Sequence, residues 1–517
     1  MRQSRSASER EAARAKAWSR QTIFVTIALL YCSQLSSCGA ESQKPAPSGQ
    51  HAELPWYVTT AAIHRMMLKP STKYWRFEHL SIEPGAAEAQ LKELHANGIT
   101  AIEIFAPEEG GNSYDGLDAK NRYRLDSGIG SIEDFRRLVK QVHSLRMHVI
   151  AFQNLGYSSE QADKFLKAAD DERAGRNSRE TEFFFWSDNA DAPPPAISNS
   201  YFFARPALPG YDPTKNEFWQ WSERAHKFYW TRWPGFDDQG NRVHLPQYNW
   251  NGKTWPEEAE KIIRFWLSTG IDGMVLDAVN WYAGIDWQKN AEFLTGPLND
   301  KFSQPEGGGA FHKDDPVGWI TEGGYTNLFD YGLGIWWEPE NHPLEKAVRE
   351  GNPELLEQAL RNYHDRVVAV GGTLYFPVPN MKDAALQTLA EALIAGSGDM
   401  LCYCAPANEI TRPAPGIPKL LEFKSEHAAL YQNSTRRKIP TSDDAHAYAI
   451  LRAAADGSER LLLVFNFASE PEEVRVDTGA IRASRYLDAD GGKEISRERD
   501  ELAVKLSAHG FQIYEVY

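Results

Sequence analysis

Gly270–Tyr282 reads G-I-D-G-M-V-L-D-A-V-N-W-Y, and it is the stretch whose reading decides the fold. The short apolar run Gly273–Leu276 follows the amphipathic segment Glu257–Leu267, the helix-then-strand order of a parallel α/β unit. The run closes on Asp277 instead of an apolar residue. An acid at the carboxyl end of a buried strand reads as chemistry, because a parallel barrel carries its active site at that end. The bland alternative is a helix cap, since Asp277 stands before Ala278, Val279 and Asn280.

Outward from this unit, strands and helices alternate from Pro55 onward. Barrel strands are expected at Val58–Ile63, Ala101–Phe105, His148–Phe152, Gly273–Asp277, Trp319–Glu322, Phe329–Ile335, Thr373–Val378 and Met400–Tyr403. Helices are expected at Ala86–Ala96, Ser131–Leu145, Leu344–Ala369 and Ala384–Ile394. This predicts an α/β fold, a (β/α)8 TIM barrel. The roughly hundred residues between the third strand and the Glu257 helix carry Pro193-Pro194-Pro195 and many aromatics, and such a long excursion reads as a small inserted domain. After Glu422 the helical pattern stops. Period-two segments at Tyr448–Arg452, Arg460–Phe467, Glu473–Val476, Glu501–Leu506 and Gly510–Val516, separated by glycine turns, predict an antiparallel β-sandwich. The expected boundaries are barrel 54–155, insertion 156–245, barrel 246–435 and sandwich 436–517.

The first 53 residues read differently. Arg2, Arg5, Arg10, Arg14, Lys16 and Arg20 precede the apolar run Ile23–Tyr31, the pattern of an export signal over residues 1–37. Leu35-Ser36-Ser37-Cys38 resembles a bacterial lipobox. That resemblance implies lipidation of Cys38 and, with Gly39 next, an outer-membrane anchor. The membrane is then a partner only through this lipid. Ala40–Glu53, rich in Pro, Ser, Gly and Gln, reads as a solvated tether. Cys402 and Cys404 alternate on one strand and read as buried small residues instead of a disulfide.

The formal net charge of −15 argues against nucleic acid as a partner. Loss of residues 1–37 removes six basic and two acidic residues, leaving 50 against 69 and a net −19. With 16 Trp, 21 Tyr and 24 Phe, the chain is rich in flat rings; most read as core, and rings on clefts are also how neutral sugars are held by stacking.

Leu245–Trp250, the Glu257–Leu267 helix and the G-x-D-G-x-x-x-D-A-V-N string together resemble the α-amylase family, glycoside hydrolase family 13, in its oligo-1,6-glucosidase, α-glucosidase and trehalose-synthase-like branch. The resemblance implies a retaining glycosidase with two carboxyl groups about 5 to 5.5 Å apart. Asp277 matches the nucleophile, and Glu322 in W-I-T-E-G is expected as the acid/base. Sugar contacts are expected from Asp118, Tyr157, Trp281, Asn380, Lys382 and Asp383.

Other family positions are altered. Val275 stands where a basic residue normally steadies the nucleophile. Phe152, Gly156 and Tyr157 replace an Asp, an Asn and a His, Met381 and Lys382 replace a His-Asp pair, and Leu117 replaces a stacking Tyr. Two readings follow: a hydrolase or transglycosylase with an altered glycon subsite, or a non-catalytic carbohydrate-binding or structural relative. Retention of both carboxylates favours the first, and loss of the supporting groups favours the second. No cofactor and no metal is expected, since Lys69–Glu83 is poor in oxygen ligands. Glu108, Glu109, Asp115 and Asp118 read as a solvated acidic loop.

Overall fold

A computed structural model describes residues 54–517 apart from 70–76, 114–115, 193–194, 196–217, 238, 280–281, 283, 286, 307–315, 335–341, 405–411 and 498. Cys38, the stretches expected as export signal and tether, and Trp281 therefore lie outside the described residues.

Eight parallel strands form the barrel: β1 Ala62–Met67, β2 Ala101–Phe105, β3 His148–Asn154, β4 Gly273–Asp277, β5 Phe302–Pro305, β6 Asn327–Phe329, β7 Thr373–Pro377 and β8 Met400–Tyr403. Hydrogen bonding runs β5-β4-β3-β2-β1-β8-β7-β6. The remaining seam is held by Thr326, whose N–H donates to the Ser303 carbonyl at 3.2 Å and whose hydroxyl accepts from Ser303 N–H at 2.9 Å.

The helices form where local chemistry supports them. Ile132–Ser144 starts on Ser131, whose hydroxyl accepts from Asp134 N–H while the Asp134 carboxylate accepts from Ser131 N–H. Phe135, Leu138, Val139 and Val142 line its buried face. Ala384–Ser397 is capped by Asp383 and ends on Gly398 at φ +103°, the left-handed conformation that glycine adopts without strain.

Three strand expectations are corrected. The first strand begins at Ala62, four residues past the expected Val58, because Trp56–Thr59 forms a helical turn closed by the Thr59 and Thr60 hydroxyls on the Trp56 carbonyl. The fifth strand is Phe302–Pro305, and Trp319 to Thr321 belong to a four-residue helix, Gly318–Thr321. The sixth is shorter than expected, Asn327–Phe329.

The insertion carries the helix Asp163–Arg173 and an antiparallel sheet of Trp186–Ser187, Trp219–Ser222, Lys227–Phe236 and Arg242–Pro246. Beyond the barrel lie a six-stranded antiparallel sheet and the pair Glu472–Asp477 and Glu501–Leu506. Ile439, Val464 and Tyr514 from the first and Val474, Val476, Leu502 and Val504 from the second share one apolar core. Glu501–Leu506 alternates exposed and buried along its length, as a two-layer sandwich requires.

A buried charge cluster lies between β6, β8 and the helices that join β6 to β7. A π-helical turn, Leu360–His364, carries His364, whose ring lies 3.0 Å from Asp399 and 3.1 Å from Asp365. Burial lowers the His364 pKa, but Asp399 and Asp365 outweigh that and raise it to about 9. Asp330, desolvated beside Asp399, is pushed well above the carboxylate range.

Since the folded pKa of His364 exceeds the unfolded value, its stabilisation is complete below about pH 6.5 and is lost as pH rises through about 9. His364→Gln is expected to destabilise the protein by about 3 kcal/mol at pH 6 and by much less at pH 10. Urea unfolding at the two pH values checks this, and an equal loss at both would contradict it.

Candidate active site

Parallel register decides which side chains enter the barrel together. Asp277 pairs with Asn154 across β4 and β3, Val275 pairs with Phe152 on one side and Gln304 on the other, and Glu103 on β2 pairs with Arg65 on β1. Asp277 and Asn154 therefore stand at the carboxyl rim. Arg65, Glu103 and Gln304 lie lower on the same inner wall.

Asp277 is buried, and Asn154 Nδ2 donates to its Oδ2 at 2.7 Å. The next residue, Ala278, takes φ +49°, a left-handed conformation that costs a residue with a Cβ about 1–2 kcal/mol. The turn directs Ala278 N–H to Glu306 Oε2 at 3.2 Å. Glu306 is the first residue beyond β5, and its own N–H bonds to the Leu276 carbonyl at 2.8 Å. A second carboxylate thus stands beside the residue that follows Asp277, at the same rim.

Glu322 does not occupy this position. It caps the helix Gly318–Thr321 and is exposed. The neighbouring Gly323 carbonyl accepts from the Thr295 hydroxyl at 2.9 Å, and Thr295 lies in the segment that leads into the start of β5. Glu322 therefore belongs to the amino-terminal face of the barrel, opposite Asp277. The expected placement of Glu322 beside Asp277 is corrected: the acid that follows the fifth strand is Glu306.

The wall beneath the rim is crowded. Arg65 pairs with Glu103, and its guanidinium lies 4.7 Å from the Phe152 ring centre and 5.4 Å from that of Phe77. Burial pushes the Glu103 pKa up, Arg65 pulls it down, and Glu306 adds to the push. Phe152 stacks on Phe105 at 4.8 Å. Cys402 faces this interior through its register with Ile63, and burial pushes its thiol well up.

The loop after β3 is fixed by aromatic packing. The Tyr282 hydroxyl accepts from Leu155 N–H at 3.0 Å, and Trp250 and Trp255 both donate to the Leu155 carbonyl at 3.1 Å. A Cβ on Gly156 would lie 2.6 Å from the Tyr282 ring, so this position admits only glycine without movement. Tyr157 is buried at the root of the insertion, where its carbonyl accepts from Arg122 at 2.6 Å.

The other expected sugar contacts separate. Asp118 is fully buried, with Oδ2 accepting from Ser113 N–H at 3.2 Å. Asn380, Lys382 and Asp383 are exposed in the loop after β7. Asp383 caps the following helix by accepting from Ala385 and Leu386 N–H groups at 2.8 and 3.1 Å, and these bonds hold its carboxyl below the usual range. Glu108 and Glu109 are also not solvated acids: Glu108 is buried against Arg122, and Glu109 pairs with Arg124 and Lys120.

A model of the alpha-amylase catalytic domain matches residues 89–317. Over these residues the chain is similar to the α-amylase family. The match includes Asp277 and Glu306 and stops short of Glu322. An alpha-glucosidase of Schizosaccharomyces pombe is 27% identical over 215 residues, which cover 41% of this chain and 32% of the relative. A probable oligo-1,6-glucosidase 3 of Bacillus subtilis is 25% identical over 194 residues, 37% of this chain and 29% of the relative. The matches thus span about a third of the length of these relatives. The fold likeness is broader: an alpha-amylase from H. orenii superposes with a TM-score of 0.64 at 15% identity, over 89% of this chain and all of that one.

Proposed function

We propose that this chain is a retaining glycoside hydrolase or transglycosylase for an α-glycoside, with Asp277 as nucleophile, Glu306 as acid/base and a glycon subsite unlike that for glucose. The observation that carries the reading is the contact between Ala278 N–H and Glu306 Oε2, which brings the second acid beside the first. Asp277 attacks the anomeric carbon as Glu306 protonates the departing glycosidic oxygen, giving a glycosyl ester on Asp277 and a free alcohol. Glu306, now a carboxylate, takes a proton from water or an acceptor sugar, whose oxygen displaces Asp277 and restores the original anomer.

Support for an altered glycon comes from the groups that replace the family's sugar clamps. Phe152 is buried under Arg65, Gly156 is filled by the Tyr282 ring, and Met381 is buried. These positions offer apolar surface in place of charged hydrogen-bonding partners, which costs transition-state binding to a glucosyl ring.

The test is the wild-type protein against the α-glycosyl fluorides of D-glucose, D-galactose, D-mannose and D-xylose. Fluoride needs little protonation to leave, so these probes report the nucleophile even where leaving-group contacts are absent. Release from at least one of them, with the α-anomer as first product, is the expected result, together with slow hydrolysis of maltose. Release from none of the four, or a β-anomer as first product, would overturn the reading.

A further inference from the structure

We infer that Asn154 is the positioning residue of the nucleophile, the donor that takes the place of the cation missing at Val275. This rests on the reading of Asp277 as the nucleophile. Asn154 was silent in the sequence, since a neutral amide at a strand end carries no pattern of its own.

The geometry is specific. Asn154 and Asp277 are register partners on adjacent strands and point into the barrel from the same rim. Both are buried, 1% and 9% exposed, with Nδ2 and Oδ2 2.7 Å apart. The orientation of the amide follows from its other contacts. Its second atom receives the N–H groups of Gly156 at 2.7 Å and Tyr157 at 3.2 Å. A backbone N–H can only donate, so that atom must be the oxygen, and the NH2 must face Asp277. The Gly156 turn that aims these N–H groups is in turn held by the Tyr282 ring. Strand register, amide orientation and the Gly156 turn therefore aim one donor at one carboxylate oxygen.

A hydrogen bond to a carboxylate is charge-assisted and orients the anion. A neutral amide differs from a guanidinium in supplying the bond without the positive charge. Charged and titratable groups near Asp277 include Glu306 from the end of β5 and Tyr282 from the following loop with Arg122 behind it, while the Arg65–Glu103 pair lies lower on the same wall. In this setting the amide aims Oδ2 of Asp277, and removing its N–H changes both the aim and the titration of the nucleophile.

The experiment is Asn154→Asp, assayed as kcat/KM against pH with whichever of the four α-glycosyl fluorides the wild type turns over. The substitution is nearly isosteric and keeps an oxygen for Gly156 and Tyr157, while it sets a second carboxyl against Asp277. Protonated, that carboxyl still donates. Ionised, it repels. Activity is therefore expected to persist at acid pH and to fall about 10- to 150-fold by pH 7, with the alkaline limb moved to lower pH.

Asn154→Ser is the second variant, because its hydroxyl retains a bond to the loop and is too short to reach Asp277. Its acid limb is expected to rise toward neutrality. Both variants with wild-type limbs would overturn the positioning role while leaving the nucleophile intact. Turnover of none of the fluorides by the wild type would overturn the nucleophile reading itself, and this inference with it.

Discussion

Asp277→Asn is expected to lower turnover of every α-glycoside by roughly 10⁴-fold, including the glycosyl fluorides, because the carboxamide cannot form the covalent glycosyl ester on which double displacement depends. The loss should be uniform across leaving groups. A fluoride bypasses proton donation, but no leaving group bypasses the nucleophile. The substitution should spare the fold: Asn is isosteric with Asp, and its amide oxygen can accept the Asn154 N–H that now reaches Asp277 Oδ2 at 2.7 Å. The left-handed turn at Ala278 and the bond from its N–H to Glu306 involve only backbone on the β4 side, so they persist. Initial rates with all four fluorides, beside a thermal melt, check this. Retention of more than a hundredth of wild-type turnover by a folded Asp277→Asn protein would remove Asp277 from the nucleophile's role.

Asp277 was legible because everything around it agrees. Gly273–Leu276 is apolar, an amphipathic helix precedes it, and the strand ends on the acid. The alternating C-terminal segments were legible for the same reason, with one face buried on each strand. β1 and β5 were not, and their inner faces explain why. In β1, Arg65 points into the barrel to meet Glu103, and His64 is buried against Glu78, so H-R-M-M does not read as a core strand. In β5, F-S-Q-P places buried Ser303 and Gln304 where an apolar run is expected.

W-I-T-E then offered the more strand-like composition nearby. Its aromatic and β-branched residues serve a helical turn, where Trp319 packs edge-on against Tyr325 with ring centres 5.7 Å apart. Four residues are too few for periodicity to separate the two states. A signal for Glu306 was present all the same: an acid followed by Gly307-Gly308-Gly309 marks a strand end opening into a loop. The Asn154 contact depends on the register of two strands more than a hundred residues apart in sequence, and no local pattern records it.

The exchange of Glu322 for Glu306 yields a test that separates the two acids by leaving group. Glu306→Gln removes the proton donor and keeps the acceptor oxygen for Ala278 N–H, so the rim should hold its shape. Proton donation matters in proportion to the basicity of the departing oxygen. Disaccharides, whose leaving alcohols are poor, should therefore lose about 10²- to 10⁴-fold in kcat/KM, and glycosyl fluorides, which leave with little help, should lose far less. The second step still needs a base, so kcat with fluorides should fall while kcat/KM holds, as the glycosyl ester on Asp277 accumulates. Glu322→Gln should behave as wild type, within about twofold on every substrate, because Glu322 closes a helix through its backbone N–H and exposes its side chain at the far end of the barrel, where the fold keeps no active-site residues. A leaving-group-dependent loss in Glu322→Gln, with Glu306→Gln unaffected, would reverse the assignment and require the β5–β6 connection to reach the rim that carries Asp277.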